Sequence, residues 1–395
     1  MDANVNSKMR VRAKYSDDSS VQVENLLSSK ISHLIRRIAG NYLNVKRDSS
    51  RMTIFSHNIT PSNWSEQINK SMIDVVNLHW VAGETMSIED IGRIKKPIVW
   101  TLHDMWPFCG AEHYTSEASD ARWRNAYSKD SYTRISKGFD FDRLVWLRKL
   151  KAWKTQMHIV SPSEWLAECA RKSSLFDGWP ISVIPNFLDT TVFKPLDKEY
   201  CRRVLNLPLK KNIILFGAIG GGKDPRKGYK QLMQALEIVA NRIDTKNLMC
   251  VIFGQTQPEV IPHLPLQTVW VGHLNDDVSL ALLYNSATLM AVPSIQENLP
   301  QTATEAQACG IPVVAFNCTG MPDAVKHLSS GYLAQAYDVS DLAYGIIKII
   351  DDTSFRGEAS LAARCMAEAN WSREAIVLKY IKVYESAIKT HAALR

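Results

Sequence analysis

The sequence predicts an α/β protein built from two doubly wound, Rossmann-like domains. Apolar runs of strand length alternate with helix-like stretches, which is typical of parallel sheets with helices on both faces. With 395 residues the chain is long enough for two separate cores. The runs form two series of five, namely Met52–Phe55, Ile73–Leu78, Ile98–Leu102, His158–Val160 and Ile181–Ile184, then Asn212–Phe216, Leu248–Phe253, Thr268–Val271, Thr288–Val292 and Pro312–Phe316.

The predicted boundary between the two domains lies near residue 186, where prolines at positions 185 and 195 interrupt the pattern. We therefore expect a first domain over residues 1–185, a second over 186–371, and a final segment over 372–395 that is mostly one helix, Arg373–Lys389. The first domain begins unusually. No apolar strand with a glycine-rich turn precedes the helix-like stretch Leu26–Ile38, although a doubly wound domain normally opens with both.

Composition predicts a globular protein of the cytoplasm. Hydrophobic residues make up 46% of the chain and charged residues 22%, and no apolar run is long enough to span a membrane. The seven cysteines are scattered and form no C-x-x-C pair. This distribution favours reduced thiols over a disulfide framework or a zinc site. We therefore expect neither a metal nor a cofactor.

Net positive charge is concentrated in the first half of the chain. Residues 1–185 carry 26 lysines and arginines against 20 acidic residues, while the remainder carries 21 against 20. A basic half predicts contact with an anionic partner. No RRM-like, helix-turn-helix or zinc-finger pattern accompanies the charge, so nucleic acid is not favoured. A membrane surface and a phosphate-bearing acceptor both fit.

Two glutamates eight positions apart, Glu297 and Glu305, flank the passage from a predicted buried strand into a helix. The helix is expected over Gln301–Cys309, because Pro300 suits a first helical position and a glycine follows. The N–H groups at a helix start attract anions, and open α/β sheets bind ligands at this edge. Two carboxylates beside an anion site suit a nucleotide-sugar, whose sugar and ribose both offer hydroxyls. The competing interpretation is structural, with one glutamate serving the helix dipole and the other solvated.

A glycine-rich loop begins at Gly217, directly after the predicted strand Asn212–Phe216. It nearly matches a P-loop, but Asp224 stands where a magnesium-binding hydroxyl belongs, so we reject a P-loop NTPase. The glycine spacing also excludes a dinucleotide fingerprint. Three cations at the end of a strand would neutralise a diphosphate without a metal, although an ordinary basic loop fits equally well. These cations are Lys223, Arg226 and Lys227.

A polar pair, His103 and Asp104, follows the predicted strand Ile98–Leu102. At the end of a strand such a pair is placed for proton transfer or for recognition of hydroxyls. The competing interpretation is a loop histidine bonded to the backbone.

Basic and apolar residues are interleaved from Phe141 to Lys154. A basic amphipathic helix of this kind is typical of an anionic membrane surface. The alternative is that its apolar side faces the core.

Together these segments resemble the retaining GT-B glycosyltransferases of the family 4 type, in particular the branch for bacterial exopolysaccharide, O-antigen and colanic acid. The resemblance covers roughly residues 50–386. It implies two Rossmann-like domains facing across a cleft, with the last helix packed back on the first domain. The segments that carry it are Asn77-Leu78-His79-Trp80, Val99 through Phe108, Val160 through Ala167, Ile184-Pro185-Asn186, Lys227-Gly228, Glu297 through Gly310, Pro312 through Phe316 and Gly331-Tyr332-Leu333.

The resemblance also implies a role for each motif. Glu297 would contact hydroxyls of the donor sugar, Glu305 would hold the ribose, and Lys227 would bind the diphosphate. His103 would lie near the acceptor and the reacting carbon. The other donor-side residues are Asn298, Leu299, Lys223, Arg226 and Gly217, and the acceptor-side residues are Asp104 and Trp106. Anomeric configuration is kept, and the leaving phosphate accepts the proton, so no enzymic nucleophile is needed.

The implied reaction moves a hexose or deoxyhexose from a nucleotide diphosphate donor to a saccharide or lipid-linked saccharide, in the cytoplasm or at the inner face of the membrane. Three departures from the family pattern matter. Ala218 stands where many relatives have arginine, the cysteine cluster that the closer branch carries after the Trp-Pro-Phe motif is lacking, and the opening strand and glycine turn would be missing. These departures keep a second interpretation open, a degenerate GT-B protein that binds nucleotide or glycan. A GT-B sugar epimerase is a third, but we do not locate the acid and base residues that it needs.

Overall fold

The computed structural model describes residues 5–14, 18–23, 54–131, 139–217, 224–259 and 264–393. The chain divides into two units, each with a sheet of parallel strands and associated helices. The predicted α/β fold class with two Rossmann-like domains is therefore confirmed. The first unit consists of Met1–Ser161, Ala167–Ser182 and Tyr380–Arg395, and the second of Pro162–Leu166 and Val183–Lys379.

The first unit contains a four-stranded sheet whose strands follow one another in chain order. They are β3 (Val76–His79), β4 (Ile98–Thr101), β5 (His158–Ser161) and β6 (Ile181–Val183). All four residues of β4 are buried, as expected for a central strand. Two further short strands, β1 (Met9–Val11) and β2 (Val21–Val23), pair in parallel with each other.

The predicted strand Met52–Phe55 is wrong where it can be compared with the structure. Residues 52 and 53 and the helix-like stretch Leu26–Ile38 lie outside the described residues. Phe55 forms only an isolated antiparallel bridge to Glu112. A short apolar run becomes a strand only when a neighbouring strand pairs along its length, and sequence does not reveal that neighbour.

The second unit contains a six-stranded parallel sheet in the order β12-β11-β10-β7-β8-β9. Counted along the chain from β7, this is the doubly wound order in which the path reverses between β7 and β10. The sixth strand was missed by the sequence analysis because its apolar run is only three residues long. The strands are β7 (Asn212–Gly217), β8 (Leu248–Phe253), β9 (Thr268–Gly272), β10 (Leu289–Val292), β11 (Val313–Phe316) and β12 (Gly331–Ala334).

Helices cover both faces of the second sheet, and alternate residues of β7 face different cores. Ile213 and Leu215 belong to one buried cluster, while Ile214 and Phe216 belong to the other. The helices of the described chain are α1 (Trp64–Lys70), α2 (Ile88–Gly92), α3 (Phe141–Ala152), α4 (Glu164–Arg171), α5 (Lys198–Val204), α6 (Tyr229–Ala240), α7 (Asp277–Ser286), α8 (Gln301–Ala308), α9 (Met321–Ala324), α10 (Val339–Asp351), α11 (Thr353–Trp371) and α12 (Arg373–Ala393). None of these helices is long and apolar enough to cross a bilayer.

The basic amphipathic segment forms α3, and the structure places part of the helix in the core and part at the surface. Lys149 is fully buried, with its ammonium group donating to the carbonyls of Trp106, Cys109 and Gly110, and burial lowers its pKa to about 7. This lysine therefore serves the core rather than a surface. By contrast, three leucines of the helix are exposed, namely Leu144, Leu147 and Leu150.

Candidate functional site

The strongest candidate site lies at the carboxyl ends of β7 and β10. The chain passes from β7 to β8 on one side and from β10 to β11 on the other, so a crevice is expected where the two strands end. Lys227 follows β7 and Glu297 follows β10, and the structure joins the two in an ion pair. Their side chains are 31% and 12% exposed, so both remain accessible to a ligand.

Backbone geometry places Lys227 against the loop that follows β10. Asp224 caps the 3-10 turn Pro225–Lys227, and the turn ends at Gly228, whose φ is +72°. A Cβ at Gly228 would lie 1.8 Å from the carbonyl oxygen of Pro293. Only glycine therefore fits, because it tolerates a positive φ and lets the two backbones approach.

Arg226, the second predicted cation of this loop, is placed differently from Lys227. Arg226 forms an ion pair with Asp224, with a 2.7 Å contact between Nη2 and Oδ2, and its carbonyl oxygen accepts from the N–H of Ile295 at 2.7 Å. The guanidinium is thus engaged within its own turn. Lys223 lies outside the described residues. Lys227 is the predicted cation that the structure brings to a carboxylate of the glutamate motif.

The position of Glu297 is set by a loop that sequence analysis did not identify. Its N–H donates to Oγ1 of Thr319 at 3.1 Å, and its carbonyl oxygen accepts from the N–H of Gly320 at 3.0 Å. A Cβ at Gly320 would lie 1.3 Å from the carbonyl oxygen of Asn298. In the sequence only Gly320 itself hinted at this close approach of two backbones. Its partners, Glu297 and Asn298, lie more than 20 positions away, so the sequence does not identify them.

At the start of α8 the groups that could meet a ligand are backbone groups, not side chains. The N-cap residue is Pro300, and no side chain caps the helix there. Asn298 is 5% exposed, and its Oδ1 accepts from Oγ of Ser163 at 2.6 Å. Leu299 is 6% exposed and belongs to the core. Neither side chain is presented to a ligand, so the predicted contribution of these two residues would come from the backbone, and it stays a prediction.

Glu305 lies in the middle of α8 and is only partly accessible. Oε2 accepts a hydrogen bond from the hydroxyl of Tyr284 at 2.7 Å. Burial raises the pKa of Glu305 to about 7, and the Tyr284 hydrogen bond opposes that rise. A carboxyl group with such a pKa changes charge within the physiological range, which makes it a functional candidate rather than a solvated helix residue.

Gly217 has a packing role at the end of β7. A Cβ at this position would lie 2.1 Å from Cζ of Phe253, its register partner on β8. The aromatic ring therefore covers the glycine. Residues 218–223 follow directly and lie outside the described residues, so the predicted phosphate contact of this loop stays a prediction.

In the first unit, His103 contacts a second histidine that sequence analysis missed. Nδ1 of His79 and Nε2 of His103 are 3.0 Å apart. Loss of solvation lowers the pKa of both rings, with His103 contributing at His79 and Asp104 opposing the shift at His103. The positions of the two histidines could have predicted this contact. His79 ends β3 and pairs in register with Thr101, two residues before His103, so both histidines lie at the ends of neighbouring strands.

Asp104 is the centre of a buried hydrogen-bond network. One carboxylate oxygen, Oδ2, accepts from Nδ1 of His113 at 2.6 Å and from Nε1 of Trp80 at 2.9 Å. Nε2 of His113 is 2.8 Å from Oγ of Ser56. The three groups follow the order of a Ser-His-Asp triad. Ser56 is only 3% exposed, however, so its hydroxyl is not placed to attack a substrate, and the network stabilises the loop.

Trp106 is also internal. The residue is 1% exposed, and its indole N–H donates to the carbonyl of Ser56 at 2.8 Å. The resemblance implied that Trp106 lies on the acceptor side. Its side chain is too deeply buried for direct contact with an acceptor, and it packs behind Asp104 instead. Local sequence does not distinguish the two roles, because burial depends on residues far along the chain.

The residues that the structure describes contain no group of three histidines, cysteines, aspartates or glutamates arranged to hold a metal ion. The expectation of a metal-free, cofactor-free protein stays a prediction.

Solved structures of similar fold support the architecture. Sucrose-phosphate synthase from Thermosynechococcus elongatus superposes with a TM-score of 0.60 at 20% identity, covering 83% of this chain and 77% of that one. Anabaena Alr3699/HepE in complex with UDP and glucose gives a TM-score of 0.59 at 16% identity, covering 82% and 80%.

Comparison of sequences finds a family model that matches part of the chain, and named relatives. D-inositol 3-phosphate glycosyltransferase of Arthrobacter sp. (strain FB24) is 26% identical over 328 residues, covering 80% of this chain and 71% of the relative. The enzyme of that name from Thermobispora bispora is 28% identical over 223 residues, covering 53% and 51%. The family described as glycosyl transferases group 1 matches residues 197–366. The matched segment, the relatives and the fold together support a group 1 glycosyltransferase with the two Rossmann-like domains of the GT-B class.

Proposed function

We propose that this protein transfers a sugar from a nucleotide diphosphate donor to a saccharide or lipid-linked saccharide, with retention of configuration, in the biosynthesis of a cell-surface polysaccharide. The observation that carries the proposal is the ion pair of Lys227 and Glu297 at the point where the strand order reverses. Glu305 supports it, since its raised pKa marks a carboxyl group adapted for more than solvation.

The chemistry follows from the charges at this point. As the bond between sugar and diphosphate breaks, negative charge grows on the departing diphosphate, and Lys227 and the start of α8 stabilise it. Glu297 exchanges its contact with Lys227 for hydroxyls of the donor sugar. Glu305 accepts hydrogen bonds from the ribose. The leaving phosphate takes the proton of the acceptor hydroxyl, so the step balances without an enzymic base.

Two classes of acceptor compete. The relatives are named for D-inositol 3-phosphate, and the basic first half fits a phosphate-bearing acceptor. The groups around His103 favour an uncharged saccharide instead. His79 and His103 have lowered pKa values, and the carboxylate of Asp104 lies behind them. Neutral rings beside a carboxylate suit hydroxyls better than a phosphate dianion.

We further propose that α3 brings the protein to an anionic membrane surface, where lipid-linked acceptors are found. Leu144, Leu147 and Leu150 are exposed, and Lys151 and Lys154 are exposed beside them. Apolar and basic residues together bind anionic lipid. Sedimentation with vesicles of anionic phospholipid should carry the wild type down, and Leu147→Ser should reduce the bound fraction. Leu361→Ser, at a leucine that is 73% exposed on α11, is the matched control. Equal sedimentation of the two variants would refute this surface.

The central experiment measures donor binding and turnover separately. UDP is the first nucleotide to test, because the similar Anabaena protein was solved with UDP and with UDP-glucose. Calorimetry should detect UDP binding that Glu305→Ala weakens and Glu237→Ala, an exposed glutamate on α6, leaves intact. If UDP and the other nucleoside diphosphates fail to bind, or if both variants bind alike, the proposed donor site is wrong.

Turnover then decides between an enzyme and a binding protein. The full chain is incubated with a panel of nucleotide-sugars and with glycosides or inositol phosphate as acceptors, and released nucleoside diphosphate is measured. Release that depends on the acceptor supports the transferase, and NMR of the product reports the configuration. Donor binding without release from any pair would support the degenerate GT-B protein instead.

A further inference from the structure

Trp80 is unlike every other tryptophan of this protein. All eleven lie in the described part of the chain, and Trp80 is the only one among the exposed residues, with 47% of its surface accessible. Large aromatic side chains are normally buried, because each removes a large apolar area from water. An exposed tryptophan in a fixed orientation therefore indicates a contact with something outside the chain.

The orientation of Trp80 is fixed by the buried network behind it. Its indole N–H donates to Oδ2 of Asp104 at 2.9 Å, and its ring lies 5.7 Å from that of His113. Gly83 passes close to the ring, since a Cβ there would lie 3.3 Å from Cη2 of Trp80. The indole is thus held at its polar edge and supported from below, while almost half of its surface stays open.

The backbone of Trp80 is also strained. Its φ is +33°, in a region that bulky residues rarely enter, and Glu84 nearby has a φ of +60°. Asn58 holds the loop through hydrogen bonds to the carbonyls of Val81 and Met86 at 2.9 and 2.7 Å. Glu84 accepts from the N–H groups of residues 59 and 60 at 2.9 Å each. Strain that the surroundings enforce in this way is characteristic of functional sites.

We infer that Trp80 is a stacking platform for the pyranose ring of the acceptor saccharide. The C–H groups on one face of a pyranose form an apolar surface that packs on an indole, while its hydroxyls point outward to polar neighbours. Polar groups close to the platform in the chain are His79, which precedes Trp80, and His103, which pairs with His79 and directly precedes Asp104, the residue that holds the indole. This inference rests on the proposed function, because it assigns the acceptor class to the first unit.

The test uses saturation-transfer NMR of the full chain with methyl β-galactopyranoside, methyl β-glucopyranoside and inositol 1-phosphate as probes. Methyl β-galactopyranoside presents H3, H4 and H5 on one face, so these protons should receive most saturation in the wild type. Trp80→Ala should weaken binding about tenfold, as expected for the loss of one aromatic stack. Trp80→Phe should restore part of it, and Phe139→Ala, at an aromatic residue that is 65% exposed, should not weaken it.

Parallel measurement of UDP binding separates failure of the inference from failure of the proposed function. Thermal melting of Trp80→Ala beside the wild type reports whether the variant is folded. UDP binding that depends on Glu305, combined with glycoside binding that is insensitive to Trp80, would overturn the platform alone. Preference for inositol phosphate over both glycosides, or no glycoside signal in the wild type, would overturn it as well. Glycoside binding that depends on Trp80 without any UDP binding would preserve the platform and refute the proposed donor.

Discussion

The ammonium group of Lys227 donates a hydrogen bond to Oε1 of Glu297, although 70 positions separate the two residues in the chain. The contact exists because β7 and β10 are neighbours in the sheet and the loops that follow them meet at one edge. The pair holds a cation and a carboxylate, the two groups that a nucleotide-sugar needs for its diphosphate and its hydroxyls. In the structure each neutralises the charge of the other.

Removing either partner of this ion pair should have opposite effects on UDP. Lys227→Ala should lower UDP affinity about tenfold or more, since hydrogen bonds to charged groups contribute about 1.5 to 3 kcal/mol. Glu297→Gln frees the lysine, so UDP affinity should hold or rise while sugar transfer falls. Calorimetry and product release measure the two effects. Lys230→Ala, an exposed lysine on α6, is the control. Equal weakening by Lys227→Ala and Glu297→Gln would contradict the assigned charges.

Gly228→Ala should destabilise the protein by about 2 kcal/mol or more, because a positive φ and a collision with backbone act together. The added Cβ would meet the carbonyl of Pro293 at 1.8 Å, which would push Lys227 away from Glu297. Thermal melting and UDP affinity should therefore fall together. Gly357→Ala is the matched control, since it lies inside α11 with no atom within 4 Å and should gain about 0.5 to 1 kcal/mol. A Gly228→Ala protein that melts and binds like the wild type would show that the two loops do not touch.

UDP binding should depend on pH through Glu305. Its pKa is raised from 4.5 to about 7, so the carboxylate that we propose as the acceptor of ribose hydroxyls forms as pH rises through 7. The affinity of the wild type relative to Glu305→Gln should therefore increase from pH 6 to pH 8. The comparison cancels the titration of the nucleotide phosphate. Tyr284→Phe removes a hydrogen bond that lowers this pKa, so the midpoint should move to higher pH.

The free energy of unfolding should depend on pH through Glu305 in the opposite direction to UDP affinity, falling as pH rises. The folded state holds the Glu305 proton at pH values where the unfolded chain has released it, so stability from this group is present below pH 4.5 and is lost as pH rises through about 7. Melting of the wild type relative to Glu305→Gln should accordingly fall over this window. A constant difference between the two proteins would mean that Glu305 is not buried as described.

Two lysines of α3 should differ sharply when each is replaced by alanine. Lys149→Ala leaves three buried carbonyl groups without their donor and opens space in the core, and should cost about 2 to 4 kcal/mol. Lys151→Ala, at an exposed position two residues further on, should change stability by less than about 0.5 kcal/mol. Chemical or thermal unfolding of the first unit distinguishes them. Equal melting temperatures for the two variants would contradict the burial of Lys149 and would support the surface position that the basic amphipathic pattern also allows.

The sequence by itself was sufficient for the local elements. Runs of apolar residues predict β7, β8, β10 and β11 within one residue at each end, because burial on both faces of a parallel strand demands such runs. It also located Lys227, Glu297 and Glu305 on the segments that follow strand ends, since glycines, prolines and helix signals act over a few residues.

Which of these groups meet was decided by the tertiary structure alone. The pairing of Lys227 with Glu297, the network of Asp104 with His113, and the burial of Lys149 all join residues that are distant in the chain or depend on packing by distant residues. Strand order and helix packing create these contacts, and both are set by the burial of apolar surface over a whole domain. Local patterns do not encode that choice. Two lysines in basic segments therefore have different surroundings, Lys227 being 31% exposed and Lys149 lying in the core.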